Sequence, residues 1–150
     1  MKSVFYYDTV IGRLGIVADK RYIYEICFGE KELLIEENEL IKECYHQLME
    51  YFNGERREFN LPIFIEGTDF QKKVWNALVN IPYGKTCSYK DIAIAIGNEK
   101  AVRAVGHANN KNKLPIVIPC HRVIGINGKL VGYAGGIDRK DKLLELEKNG

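Results

Sequence analysis

Three stretches near the start of the chain, residues 3–8, 14–18 and 22–28, are rich in Val, Ile, Tyr and Phe. The turn-prone Gly12-Arg13 and Asp19-Lys20-Arg21 separate them. Branched and aromatic side chains suit a pleated surface, so these segments predict a small antiparallel sheet. From residue 38 to 52 the period changes: Leu40, Ile41, Cys44, Leu48, Met49 and Phe52 recur at helical spacing, and Asn53-Gly54 supplies a stop. That helix is expected to cover one face of the sheet. Residues 54–67 hold Asn60, Pro62 and two charge clusters without sustained periodicity, and read as the connection between two domains, 1–66 and 67–150.

The second half patterns as helices. Thr68-Asp69-Phe70-Gln71 has the form of a capping box, and Phe70, Val74, Trp75, Leu78 and Val79 follow on one face before Pro82-Tyr83-Gly84. Ser88-Tyr89-Lys90-Asp91 opens a short helix through Ile96, and Gly97 breaks it. Residues 100–109 form the next, with Val102, Val105 and Ala108 inward. Helix, Gly turn and helix make a helix-turn-helix, although any α-hairpin gives a similar pattern. A last helix over residues 138–148 is expected to be capped by Asp138, after the Gly135-Gly136 pair.

Charge sharpens this division. The whole chain is only +2, but residues 1–66 carry 8 basic and 13 acidic side chains against 14 and 7 in residues 67–150, so the halves are −5 and +7. Lys85, Lys90, Lys100, Arg103, Lys111 and Lys113 lie in or beside the helix-turn-helix, opposed only by Asp91 and Glu99. Such a surface suits phosphates, which favours DNA as partner over a merely solvated face. Hydrophobic residues at 46% allow a real core. No segment approaches the ~20 apolar residues of a membrane span, and the start, with Lys2, Tyr6, Tyr7 and Asp8, lacks a signal-peptide core. A cytoplasmic protein without membrane contact is expected, with its four cysteines reduced.

One segment concentrates reactive residue types. Ile116-Val117-Ile118 ends at Pro119, and Cys120, His121, Arg122 and Val123 follow at once. A Cys at its reference pKa is only a few per cent thiolate at neutral pH, so a useful nucleophile needs a base or a cation nearby, which His121 and Arg122 are placed to supply. Against this stands the ordinary buried Cys, a small hydrophobe whose neighbour in sequence need not be one in space.

Pro119-Cys120-His121-Arg122-Val123 resembles the hallmark of the O6-alkylguanine-DNA alkyltransferases. The likeness runs from Phe70 to Glu147 and takes in Ser88-Tyr89, Ala101-Val102-Arg103-Ala104-Val105-Gly106, Asn112, Pro115 and Gly132-Tyr133-Ala134-Gly135-Gly136. The first half resembles the family's variable domain more weakly, in size and strand order. The resemblance implies an α+β fold: an N-terminal α/β domain with an antiparallel, ribonuclease H-like sheet, then a mainly helical domain carrying the helix-turn-helix. It implies repair by direct reversal: Cys120 irreversibly takes the alkyl group from O6-alkylguanine in double-stranded DNA, once per molecule, with O4-alkylthymine left open as a second substrate. His121 would activate the sulfur, Glu147 would orient His121, and the Tyr89 hydroxyl would face guanine N3. No cofactor is implied, since the acceptor is the protein's own sulfur.

For DNA, the resemblance assigns Arg103 to the place left by the flipped base and brings Tyr89, Lys100, Ala101, Val102 and Gly106 to the minor-groove surface. Pro115, Val123, Tyr133 and Ala134 would wall the base pocket, and Asn112 would be a structural hinge. A nucleoid-associated monomer is expected. His107 and Lys113 depart from the family pattern, standing where small residues and Pro are common. Some members hold zinc in the first domain, but Cys27, Cys44 and His46 match no zinc spacing, so no metal is expected.

Three rival readings fare worse. Gly84-Lys85-Thr86 invites a phosphate loop, but that loop needs Gly where Val79 stands, after a strand rather than a helix. A lesion sensor built on the same frame would lack the acceptor, typically carrying Trp in place of Cys120. A simple helix-turn-helix regulator leaves residues 119–123 without a purpose.

Overall fold

The computed structural model describes every residue of the chain except Lys129, Val131, Gly132 and Ala134. The chain divides into two compact units, Met1–Ile65 and Glu66–Gly150.

In the first unit, β1 (Ser3–Thr9), β2 (Gly12–Ala18) and β3 (Ile23–Cys27) form an antiparallel meander. A bulge at Val17/Ala18 shifts the register of the β2 and β3 pairing. The sequence reading missed a fourth strand, β4 (Leu34–Ile35), which pairs parallel to β1, so the sheet order is β3-β2-β1-β4 and the sheet is mixed rather than purely antiparallel. Helix α1 (Glu39–Phe52) begins where Asn38 Oδ1 accepts from the Ile41 amide at 2.8 Å, a cap worth about 1 kcal/mol. It lies on the face of β1–β3 that carries Tyr7, Leu14 and Ile16, where it buries Ile41, Cys44 and Leu48 and stacks Tyr45 on the Tyr7 ring. Gly15 is needed here: a Cβ would come within 2.8 Å of Cys27 Sγ and 2.9 Å of the Tyr6 ring. The segment read as a connection is bonded back to this unit, because Ile23 exchanges backbone hydrogen bonds with Pro62 and Phe64.

The second unit is helical around two very short strands. In α2 (Asp69–Val79) the expected capping box is complete, Thr68 and Gln71 satisfying each other's amides. Its Trp75 buries the ring and donates to the Ala108 carbonyl at 2.8 Å, fixing it to α4 (Val102–Asn110). Between them, α3 (Tyr89–Ala95) starts in a second capping box, Ser88 with Asp91, and Gly97 at φ 77° makes the turn. β5 (Cys87–Ser88) and β6 (Val123–Ile124) pair in parallel, joining the start of α3 to the turn after Cys120. Helix α5 (Ile137–Asn149) differs from expectation at its start: Gly136 is the capping position, no side chain caps it, and Asp138 lies in the first turn.

Candidate functional site

The turn that carries Cys120 is built by buried asparagine chemistry. Asn112, one residue past the Lys111 C-cap of α4, accepts from the Leu114 amide through Oδ1 at 2.9 Å and donates from Nδ2 to the Ile118 carbonyl at 2.8 Å, spanning the base of the loop. Within that loop Ile116 has φ 75°, a left-handed conformation that a branched side chain adopts only when its surroundings impose it. Ile116, Ile118 and Leu114 are all buried and hold it there. Residues Cys120–Arg122 then form a single 3-10 turn leading into β6. Asn109 of α4 donates from Nδ2 to the Cys120 carbonyl at 3.4 Å, so both asparagines support the turn.

His121 is wholly buried, and its Nε2 lies 2.6 Å from Glu147 Oε2. Glu147, from the far end of α5, also accepts from Arg122 Nε at 2.8 Å and Nη2 at 3.0 Å, and its Oε1 takes the Gly84 amide at 3.3 Å. Arg122 Nη1 donates to the Ile81 carbonyl at 2.7 Å. Arg122 therefore neutralises Glu147 rather than meeting the sulfur, and the buried pair is satisfied on every side. Burial pulls the His121 pKa down despite Glu147, so its ring is neutral at physiological pH. An ionised Glu147 can only accept, which places the ring proton on Nε2 and leaves Nδ1 as the basic nitrogen.

Cys120 is buried, and desolvation pushes its thiol up to about 11, with the Asn112 side chain and Lys140 acting in the opposite direction. The sulfur is a thiol at rest and needs a proton acceptor at the moment of attack. Tyr89, half-buried at the first position of α3, and Tyr133, almost wholly buried, are both raised by burial first and then by the nearby Cys120. Pro115 and Val123 are buried beside the same turn. Ala134 lies outside the described residues. Lys100, Val102 and Arg103 are exposed at the start of α4, with Ala101 and Gly106 partly so. They form a separate outer surface, with Gly106 against the Tyr89 ring: a Cβ there would sit 3.9 Å from Tyr89 Cδ1. Among the described residues no cluster of three or more His, Cys, Asp or Glu is disposed to hold a metal ion.

Two buried polar side chains beside the Cys120 turn escaped the sequence reading. Lys140 is completely buried, its Nζ donates to the Val123 carbonyl at 2.5 Å and lies 6.0 Å from the Tyr89 ring centre, and burial brings it down to about 8. Asn109 is the other, buried with one end on the Cys120 carbonyl. A signal for Lys140 does exist: Lys140, Leu143 and Glu147 fall at i, i+3 and i+7, so both charges share the inward stripe of α5.

Residues 69–149 match the model of the 6-O-methylguanine DNA methyltransferase DNA binding domain, and residues 4–65 match its ribonuclease-like domain. The chain belongs to this family. The methylated-DNA--protein-cysteine methyltransferase of Methanosarcina barkeri is 47% identical over 96% of this chain and 98% of its own. The constitutive enzyme of that name from Bacillus subtilis is 55% identical over 95% of each chain. Among solved structures, the Mycobacterium tuberculosis OGT in complex with DNA is 43% identical with TM-score 0.91, over 98% of this chain and 93% of that one. The O6-methylguanine-DNA methyltransferase of Pyrococcus kodakaraensis has TM-score 0.61 at 26% identity, over 98% of this chain and 99% of that one. Membership in the methyltransferase family accounts for the mixed α+β architecture.

Proposed function

We propose that this protein repairs DNA by direct reversal, moving the alkyl group of O6-alkylguanine onto Cys120 in one irreversible turnover. The observation that carries the mechanism is the state of His121: Nε2 engaged by Glu147, Nδ1 without a hydrogen-bond partner, and Cys120 the preceding residue. As sulfur attacks the alkyl carbon, the S–C bond forms and the C–O6 bond breaks. The thiol proton passes to His121 Nδ1, while Glu147 stabilises the imidazolium that results. The departing guanine takes a proton from the Tyr89 hydroxyl at N3, and Tyr89 is reprotonated from solvent or from Lys140, whose lowered pKa suits a proton donor. A thioether is a very poor leaving group, so the acceptor is not regenerated.

The target base must leave the duplex, at a cost of a few kcal/mol. Arg103 is exposed on α4 and fits the vacated place in the stack, where a planar guanidinium stacks and hydrogen-bonds better than an ammonium. Lys100, Ala101, Val102 and Gly106 lie on or beside the same helix and would meet the groove with it. Pro115, Val123, Tyr133 and Ala134 would line the pocket, and Asn112 would act as the hinge that holds the turn. No helix among the described residues is long and apolar enough to cross a membrane. A monomer working on the DNA of the cytoplasm fits the single-turnover chemistry.

The test is a titration with a duplex carrying one O6-methylguanine whose methyl is isotopically labelled. Label should move to protein up to one equivalent and then stop, and Cys120→Ser should bind the duplex and take up none. Tight binding of the lesion with no transfer by the unaltered protein would mark a lesion sensor instead.

A further inference from the structure

The first unit carries an exposed cluster of aromatic rings that alkyl transfer at Cys120 leaves unused. Tyr22 just before β3, Tyr24 within it and Phe64 have ring centres 5.3, 5.7 and 6.4 Å apart. Tyr22 is 39% and Phe64 43% exposed, with Tyr24 partly buried beside them. The rings stand on fixed backbone. The Ile23 amide donates to the Pro62 carbonyl at 2.8 Å and the Phe64 amide to the Ile23 carbonyl at 2.9 Å, which ties Phe64 to the strand. Asp19 Oδ1 accepts from the amides of Arg21 at 2.7 Å and Tyr22 at 2.9 Å, and its Oδ2 accepts from the Tyr24 hydroxyl at 2.6 Å. Single exposed apolar side chains are ordinary, but contiguous rings held in water in fixed positions mark a contact surface.

Charge selects the partner. Lys2 Nζ lies 4.1 Å from the centre of the Tyr24 ring, and Lys20 and Arg21 are exposed next to Tyr22. Among the described residues none of these three cations is in an ion pair. Asp19, the acid at the cluster, has both oxygens engaged. Most of the negative charge of the first unit belongs to residues 30–43, which hold six acidic and two basic side chains.

Rings for stacking and cations for phosphates together fit a nucleic acid strand whose base faces are open. A duplex hides those faces and offers the rings nothing. A proline-rich peptide would use the rings and leave the cations idle. A second copy set patch to patch would bring Lys20 and Arg21 against their own counterparts. The second unit matches a DNA binding domain, so DNA is the strand this chain meets. We propose that Tyr22 and Phe64, with Lys2, Lys20 and Arg21, form a second DNA-binding surface, on the first unit, that takes single-stranded DNA by stacking bases on the rings and pairing phosphates with the cations. This surface goes beyond the alkyl-transfer reading and does not depend on it.

The test is photo-cross-linking of the full chain to a short oligothymidylate in which bromodeoxyuridine replaces one thymidine, followed by peptide mapping. Excess lesion-free duplex is present to fill the helix-turn-helix. Cross-links should fall on Tyr22 or Phe64. Under the same excess of duplex, Tyr22→Ala with Phe64→Ala should weaken oligothymidylate binding about tenfold or more, while Tyr22→Phe with Phe64→Tyr, which keeps both rings, should hold it. Lys20→Glu with Arg21→Glu alters only exposed side chains and should weaken binding as well, which keeps the test open should the alanine pair not fold. Cross-links confined to residues 66–150 overturn the proposal, as does oligothymidylate affinity unchanged in the glutamate pair. Self-association in sedimentation that the alanine pair abolishes, without cross-links in the first unit, gives the patch to a second copy and overturns it too. Methyl transfer from duplex is read separately, so a failure of the Cys120 reading would not be mistaken for a failure of this one.

Discussion

Glu147→Gln changes one atom and should disable the protein twice over. Glu147 accepts from four donors: His121 Nε2, Arg122 Nε and Nη2, and the Gly84 amide. A glutamine has one accepting oxygen, so its NH2 must face some of these. At the Oε1 position it would oppose Arg122 Nε–H and Gly84 N–H, neither of which can cease to be a donor. At the Oε2 position it meets Arg122 Nη2 and His121, and the imidazole alone can adapt by moving its proton from Nε2 to Nδ1. That tautomer turns an N–H towards the site and removes the acceptor for the thiol proton, a loss of about 10² to 10⁴ in rate by analogy with acid-to-amide changes in triads. Stability should fall by about 3 kcal/mol, the low end for removing one partner of a buried ion pair, because the amide keeps some bonds. Urea unfolding reads the second effect, and single-turnover methyl transfer at saturating DNA reads the first. A folded Glu147→Gln protein that transfers within about threefold of the unaltered rate would refute the role given to the His121 tautomer.

Lys140→Met should separate stability from activity. Between pH 8 and 10.5 the unfolded chain holds a proton that folded Lys140 has released, so its contribution to stability rises with pH through that window, and at neutral pH its burial costs about 3 kcal/mol. The methionine variant, which loses the bond to the Val123 carbonyl and sheds the buried charge, should be roughly 1–2 kcal/mol more stable at pH 7, lack that pH-dependent rise in urea melts, and transfer methyl more slowly. Arg103→Ala should slow reaction with duplex lesions about tenfold or more, with little change on the free base O6-benzylguanine, as measured by the two rates side by side. Iodoacetamide should label Cys120 slowly at neutral pH and faster as pH approaches 11, since the resting sulfur is a thiol; rapid labelling at pH 7, followed by peptide mapping, would contradict that state.

What the sequence disclosed was mostly local. Thr68 with Gln71 and Ser88 with Asp91 each signal a helix start within four residues, and both boxes form as read. Strand β4 was hidden because it has two exposed residues, Leu34 and Ile35, and depends on a parallel partner 31 residues earlier in the chain. Asp138 looked like a cap because its residue type favours one, yet Gly136 takes the position with φ 92°. Glu147 was reached only through family resemblance, since a glutamate near a helix end ordinarily faces water; its burial depends on Arg122 and His121, 25 and 26 residues away. Arg122, beside the nucleophile in sequence, looked like a cation for the sulfur, and the fold turns it to Glu147 instead. The left-handed Ile116 has no sequence signature at all, because the packing of the turn imposes it.

Whether Cys120 is the acceptor is decided by mass spectrometry of the intact protein and its peptides after reaction with a duplex carrying a single O6-methylguanine. One added methyl group per molecule is expected, on the peptide that contains Cys120 and on its sulfur, with unmodified guanine restored in the DNA. An unchanged protein mass with the lesion still present, or a methyl group on Cys27, Cys44 or Cys87, would contradict it.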